Sequence, residues 1–229
     1  MTWMDDWKLR SYQRTGAEFL SAPPEGYRGR ILADPRGFGK TVQILAAIKL
    51  RKLAGFDGNV TPIITTAISR GDWRREIARV WPAAATAILC SDEPKYKRVD
   101  ESVEQFEKRQ LDTWIPVLRG EVPGAEHHFP IVSFESVPKL LQASMKHELV
   151  YDVLVVSEAH RLKKYSTRTS QSVRPLVGKS RVAMLDTGTP VHNRPHDLYN
   201  LLDTCKMGYA GHFTNWVNKI TTPSCTCTC

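Results

Sequence analysis

The stretch Ala33-Asp34-Pro35-Arg36-Gly37-Phe38-Gly39-Lys40-Thr41 follows the apolar pair Ile31-Leu32 and runs directly into Val42-Gln43-Ile44-Leu45-Ala46-Ala47-Ile48. A strand, a turn with two glycines and a helix in that order read as a phosphate loop. The glycines let the backbone approach an anion closely, and the helix aims its first N–H groups at phosphates. Lys40 would meet the β/γ-phosphate charge, and the Thr41 hydroxyl would meet Mg²⁺. The stricter form G-x-x-x-x-G-K-[ST] is not met, because Asp34 stands where its first glycine would be. On its own, Gly37 to Thr41 is also compatible with a plain turn and helix cap. Two segments further along the chain, in the right order, argue against that.

The first is the end of Tyr151-Asp152-Val153-Leu154-Val155-Val156, a continuous apolar run suited to a strand covered on both faces. It leads into Ser157-Glu158-Ala159-His160. Acidic groups at the carboxyl end of such a strand face the crevice where open α/β sheets bind ligands. Glu158 is placed there to orient or deprotonate a water attacking a γ-phosphate, although an exposed Glu at a loop start would look the same in isolation. The second is Thr187-Gly188-Thr189-Pro190, after the strand-like Arg181-Val182-Ala183-Met184-Leu185. Alone, it is an ordinary turn.

Together these segments resemble the Swi/Snf-type DNA-dependent ATPases and translocases of helicase superfamily 2. Leu9-Arg10-Ser11-Tyr12-Gln13-Arg14-Thr15-Gly16 is similar to the family's L-R-x-Y-Q-x-x-G opening, which implies that Gln13 reads the adenine edge. Ala33 to Thr41 resembles A-D-E-M-G-L-G-K-T, which adds Asp34, Gly37, Phe38 and Gly39 to the implied ATP-binding residues. Thr65 to Trp73 resembles C-P-x-S-L-x-x-x-W, and Ser133-Phe134-Glu135-Ser136 is similar to the S-Y-E-S segment involved in DNA contact, at Ser133. Ser157 to His160 sits where the family has Asp-Glu-Ala-His. Thr187 to Asn193, then Arg194-Pro195, resembles T-G-T-P-x-x-N-R-P of the annealing-helicase-like branch, with Thr187, Gly188 and Thr189 implied in coupling to DNA.

The resemblance implies one α/β RecA-like lobe over residues 1–220, a mostly parallel sheet with helices on both faces, followed by a Cys/Thr-rich tail at 221–229. Strands are expected near Arg30–Ala33, Pro62–Thr66, Ala87–Cys90, Pro130–Phe134, Asp152–Val156 and Arg181–Leu185, with helices between them. A helix is expected around Val103–Trp114, and His127-His128 reads as a pair in a loop. Such translocases close ATP between two lobes, and after Thr204 there is no room for the second. The expected chain is thus a single-lobe protein, a fragment, or one part of a split enzyme. A second RecA-like lobe or partner protein would act in trans.

With 32 Lys and Arg against 24 Asp and Glu, the net charge of +8 attracts nucleic acid, and Mg·ATP and anionic partners as well; the resemblance implies double-stranded or branched DNA as the partner. Arg161, Lys163, Lys164 and Arg168 cluster after the Glu158 segment, and Arg70, Arg74, Arg75 and Arg79 flank a helix striped by Trp73, Ile77 and Val80. Each cluster is equally compatible with a solvated basic face. No run reaches the ~20 apolar residues of a membrane span, and the start lacks a secretory signal. The expectation is a cytoplasmic protein, nuclear in a eukaryote. Cys225, Cys227 and Cys229 alternate with threonine, unlike the C-x-x-C pairs of zinc sites.

The departures from the family pattern matter as much as the matches. Ser157 replaces the aspartate that the resemblance assigns to Mg²⁺, and a neutral hydroxyl is a weak partner for a hard cation. Pro35-Arg36 replaces an acid-Met pair, and Thr66 and Ile68 stand in place of Pro and Ser. Asp186 occupies a position usually apolar. In this family the strand leading to Thr187 lies between the phosphate-loop strand and the strand leading to Ser157. A carboxylate at its end would face the nucleotide crevice and require a cation or a donor. Asp186 is therefore expected to supply the lost charge to Mg²⁺, with Thr41 and Ser157 beside it; drift in a decaying enzyme and pairing with Arg36 are the alternatives. Two functions remain open at this point, an ATP-hydrolysing translocase lobe and a module that binds nucleotide, DNA or a partner without effective hydrolysis.

Overall fold

The computed structural model of the chain describes residues 6–22, 26, 28–89, 100–162, 166–190, 196–206, 211 and 214–216. Helix α1 (Ser11–Ser21) precedes β1 (Gly29–Leu32), α2 (Lys40–Leu53), β2 (Ile63–Thr65), α3 (Arg70–Val80) and β3 (Ala84–Leu89). Then come α4 (Val103–Arg119), β4 (His127–Ser133), α5 (Val137–Lys146), β5 (Tyr151–Ser157), α6 (Arg168–Gly178), β6 (Ser180–Asp186) and α7 (His196–Cys205). Single 3₁₀ turns at Phe134–Ser136 and Ala159–Leu162 lead the chain away from β4 and β5.

The strands form one sheet of six in the order β1-β6-β5-β2-β4-β3, and every pair is parallel. Parallel neighbours need long crossovers, and the helices that make them cover both faces. Strand β5 shows the consequence for sequence. Val153 and Val155 enter one core while Leu154 and Val156 enter the other, the alternation that a pleated strand imposes. The first core is closed by Ala17 and Leu20 of α1, Ile44, Leu45 and Ile48 of α2, and Trp73 and Ile77 of α3. Opposite it, Trp114 and Leu118 of α4, Leu140 of α5, Val173 and Leu176 of α6, and Leu201 of α7 close the second. Burying each such Val, Leu or Ile contributes about 1.5–3 kcal/mol, which is why the central strands read as unbroken apolar runs.

All six expected strands are present, and three expectations need correction. His127 and His128 are not in a loop: they open β4, paired with Ala84 and Ala85, and both are buried. Strand β3 starts three residues earlier than expected, at Ala84, since small Ala and Thr side chains fit a partly covered edge strand. Arg70 is not on a solvated face; it is buried and donates to the Leu89 and Ala67 carbonyls. On the same helix, Arg75 pairs with Asp72 and Arg79 with Glu76. Helix α4 runs on to Arg119, past Pro116. Cys90, Lys163, Lys164, Asn193, Arg194, Pro195 and the 221–229 tail lie outside the described residues.

The buried His127 makes stability depend on pH. Its ring stacks on Trp81 at 5.1 Å, lies 4.7 Å from Phe129, and places Nε2 2.9 Å from the Thr61 hydroxyl. Burial, followed by the charges of Lys52 and His128, pushes the imidazole from 6.5 down to about 3. Between those values the unfolded chain takes up a proton that the folded chain refuses, so stability falls as pH drops through this window. At about pH 5 the loss is about 2 kcal/mol relative to about pH 7.5. Urea unfolding at the two pH values is expected to show a change that is about 2 kcal/mol more unfavourable in the parent than in His127→Phe, the titrations common to both cancelling in the difference. An equal loss in both would show that another group carries it.

Candidate functional site

Strand β1 ends before Pro35, which cannot donate to a ladder. The loop that follows bends through Gly37 (φ 84°) and Gly39 (φ 71°), both in the left-handed region that glycine tolerates. Gly39 is doubly constrained, because a Cβ there would lie 2.4 Å from Gln13 Nε2. Helix α2 starts at Lys40 with no side-chain cap and no acid in its first turn, whereas α4 is closed by a Ser102–Gln105 capping box. The positive end of α2 is thus left to an anion. Lys40 folds across the loop, its Nζ donating to the carbonyls of Asp34 at 3.0 Å and Pro35 at 3.2 Å.

Two glutamines brace this loop from behind. Gln13 accepts from the Arg10 N–H at 3.0 Å and donates to the Phe38 carbonyl at 3.3 Å, while the Tyr12 and Phe38 rings sit 5.5 Å apart. Gln43 donates to Asp34 Oδ2 at 2.9 Å and to the Phe38 carbonyl at 3.2 Å. In the sequence, Gln43 is one more residue of the helical stretch Val42 to Ile48. The available signal was a polar residue inside the apolar run Val42 to Ile48, since a buried amide requires partners.

Across the cleft, β6 is flanked by β1 and β5, the arrangement expected for the strand leading to Thr187. Asp186 is in register with Leu32 on one side and Ser157 on the other. It is 3% exposed, and its Oδ2 has no hydrogen-bond partner among the described residues. Burial pushes its carboxyl up to about 6, against the pull of the Ser157 hydroxyl, the Lys40 charge and the Glu158 backbone N–H, with the Glu158 charge adding to the rise. Glu158 has φ 56°, a left-handed backbone on a residue that is not glycine, which stores on the order of 1–3 kcal/mol of strain. Its carboxylate is 30% exposed, and Oε2 lies 3.2 Å from His160 Nδ1.

The same His160 nitrogen lies 3.3 Å from the Thr187 hydroxyl, which accepts from the Thr189 N–H at 3.1 Å. Glu158 and the Thr187–Thr189 segment are therefore joined by one imidazole, a connection absent from the reasoning on sequence. Gly188 packs against the loop after β1, where a Cβ would come within 3.0 Å of Arg36 Cγ. Gly37, Gly39, Lys40, Thr41, Ser157, Glu158 and Asp186 line one cleft of about 490 Å³, walled on the far side by α3. Gln13, Asp34 and Phe38 form the back of its loop. Ser133 stands apart, buried at the end of β4 with its hydroxyl 3.4 Å from that of Ser136. A more apolar hollow of about 540 Å³ between α4 and α5 contains none of these groups.

The donor set suits a hard cation. Thr41, Ser157 and Asp186 offer oxygen alone, and the described residues hold no cluster of three His, Cys, Asp or Glu. Mg²⁺ fits such a place, being held by one or two carboxylates together with phosphates and water rather than by a protein cage.

Residues 12–228 match the SNF2-related domain. The chain is 30% identical over 197 residues to the ISWI chromatin-remodeling complex ATPase ISW2 of Saccharomyces cerevisiae, covering 86% of this chain and 16% of that protein. It is 27% identical over 216 residues to the DNA repair and recombination protein RAD54 of Oryza sativa, covering 90% of this chain and 20% of that one. Its fold superposes on the Sulfolobus solfataricus SWI2/SNF2 ATPase core, solved with dsDNA, at a TM-score of 0.66 and 21% identity, over 92% of this chain and 38% of that chain. The sheet is thus a RecA-like α/β fold, and the chain belongs to the SNF2-related domain family. It spans a fifth or less of the two curated relatives.

Proposed function

We propose that this chain is the ATP-binding lobe of a translocase that couples ATP hydrolysis to movement on, or remodelling of, double-stranded DNA. The observation that carries this reading is the meeting of Lys40 and Thr41, at an uncapped helix start, with Glu158 and Asp186 in one cleft at the carboxyl ends of β1, β5 and β6. The phosphates lie over Gly37 to Thr41 and the base lies near Gln13. Lys40 exchanges its two backbone carbonyls for β/γ-phosphate oxygens. Mg²⁺, held from Thr41, Ser157 and Asp186, supplies neutralising charge to the phosphates when bound. Glu158 orients the attacking water and takes its proton. His160 passes a change at Glu158 to Thr187, and the segment through Thr189 relays it towards DNA. Ser133 acts on DNA indirectly, by holding the turn after β4. A second lobe closes the cleft from the other side.

A second reading, a nucleotide-, DNA- or partner-binding module without effective hydrolysis, is favoured by the neutral Ser157 at the end of β5. ATP turnover with and without duplex DNA, measured on the chain alone and with a second RecA-like lobe supplied in trans, alongside DNA binding at several salt concentrations, separates the two. The first reading expects turnover stimulated by duplex DNA and binding whose log–log salt slope is about −0.9 per phosphate contacted. Nucleotide binding with no turnover supports the second. DNA binding that ignores salt overturns the DNA assignment in both.

A further inference from the structure

Among the carboxylates around the cleft, Asp186 stands apart. Glu158 is engaged by His160, Asp34 accepts from Gln43, and Asp72 and Glu76 pair with arginines of their own helix. Asp186 alone among these is almost wholly buried, yet one of its oxygens has no partner. Lys40 gives its hydrogen bonds to the carbonyls of Asp34 and Pro35, so its charge acts on Asp186 without a hydrogen bond to the free oxygen. Arg36 is exposed and lines the same cleft, but Asp186 Oδ2 has no hydrogen-bond partner among the described residues, so the pairing considered above is not made at that oxygen. A buried, unsatisfied carboxylate oxygen costs several kcal/mol unless something is bound to it. The sheet also explains where it came to stand. Ser157 and Asp186 are side-by-side partners on adjacent parallel strands, about 4.8 Å apart in the ladder direction. Both positions line the cleft that Thr41 also lines.

Resting on the nucleotide-binding reading above, we propose that Asp186 is the carboxylate that this chain presents to the nucleotide-bound divalent cation, transposed by one strand from the neutral Ser157. Magnesium then reaches the protein through Thr41 and Asp186, and Ser157 contributes a hydroxyl or an ordered water. Drift is the rival origin for Asp186, and it makes the opposite prediction: the residue could be neutralised without effect on cation dependence.

The test is ADP titration by calorimetry, in excess Mg²⁺ and in EDTA, on the parent, Asp186→Asn and Asp186→Asn/Ser157→Asp, with Mn²⁺ paramagnetic resonance as a second reading of the cation. The parent is expected to bind ADP more tightly with Mg²⁺ than without. Asp186→Asn should lose that gain, on the order of 10- to 100-fold, while its affinity in EDTA stays level or rises. The double variant should regain it. Asparagine keeps the shape of aspartate and removes an unsatisfied charge, and far-ultraviolet dichroism checks that it folds. An unchanged Mg²⁺ gain in Asp186→Asn, or no recovery in the double variant, overturns the transposition while the nucleotide reading stands. A parent that binds no ADP under either condition overturns both.

Discussion

Lys40→Ala is expected to weaken ATP and ADP binding on the order of 100-fold and to leave the fold intact. The ammonium is the cation that crosses the loop between Asp34 and the start of α2, and its two partners are backbone carbonyls that water can satisfy once it leaves. Losing them costs about 0.5–1.5 kcal/mol of stability for each bond. Its loss from a bound phosphate is of another size, because truncating one side of a desolvated charge pair costs about 2–5 kcal/mol. Lys40→Arg should recover little, since a planar guanidinium cannot occupy the place of a compact ammonium between closely spaced carbonyls. Titrating parent and variant with ADP, alongside urea unfolding of each, reads the two effects separately. Equal affinities would remove Lys40 from the site, and a large loss of stability would make it a structural lysine.

The parts of this fold visible in the sequence were those where one physical demand dominates. A strand buried on both faces must be apolar at every position, and Tyr151 to Val156 is such a run. A loop that closes on Gln13 needs glycine at position 39, and it has it. Composition misleads where tertiary partners override it. His127 and His128 look like loop residues until Trp81, at the end of α3, and Asn59 and Thr61, before β2, are brought to them, with Phe129 beside them on β4 itself. Arg70 looks like a surface charge until the last carbonyl of β3 arrives to accept from it. The bridge from Glu158 through His160 to Thr187 joins residues far apart in the chain, and no local pattern announces it. Asp186 was legible for the opposite reason. A charged residue ending an otherwise apolar strand conflicts with its own context, and such conflicts mark function or strain.

At the end of the sheet away from the cleft, Arg51→Ala is expected to cost about 3–5 kcal/mol of unfolding free energy. Arg51 lies in the last turn of α2 and grips Asp152 of β5 with two bonds, Nε to Oδ2 at 2.8 Å and Nη2 to Oδ1 at 2.7 Å. Its Nη1 donates to the Ser21 carbonyl at 3.0 Å, and the guanidinium lies 3.9 Å from the Phe56 ring centroid. The side chains are 2% and 7% exposed, so water cannot replace either partner. Removing the arginine strands a buried carboxylate and frees the end of α1 from that of α2. Asp152→Ala strands the guanidinium and should cost a similar amount. Arg51→Met/Asp152→Ala should lose less than the sum of the single effects, because neither charge is then left unpaired. Urea unfolding of the four proteins gives the coupling directly, and a single substitution costing under ~1 kcal/mol would place this pair with weak surface bridges. Ligand linkage then connects the two ends of the molecule. Nucleotide at about 100 times its Kd adds about 2.7 kcal/mol to any form that binds it. Arg51→Ala keeps the whole cleft and should regain that amount, whereas Arg51→Ala/Lys40→Ala should regain almost none.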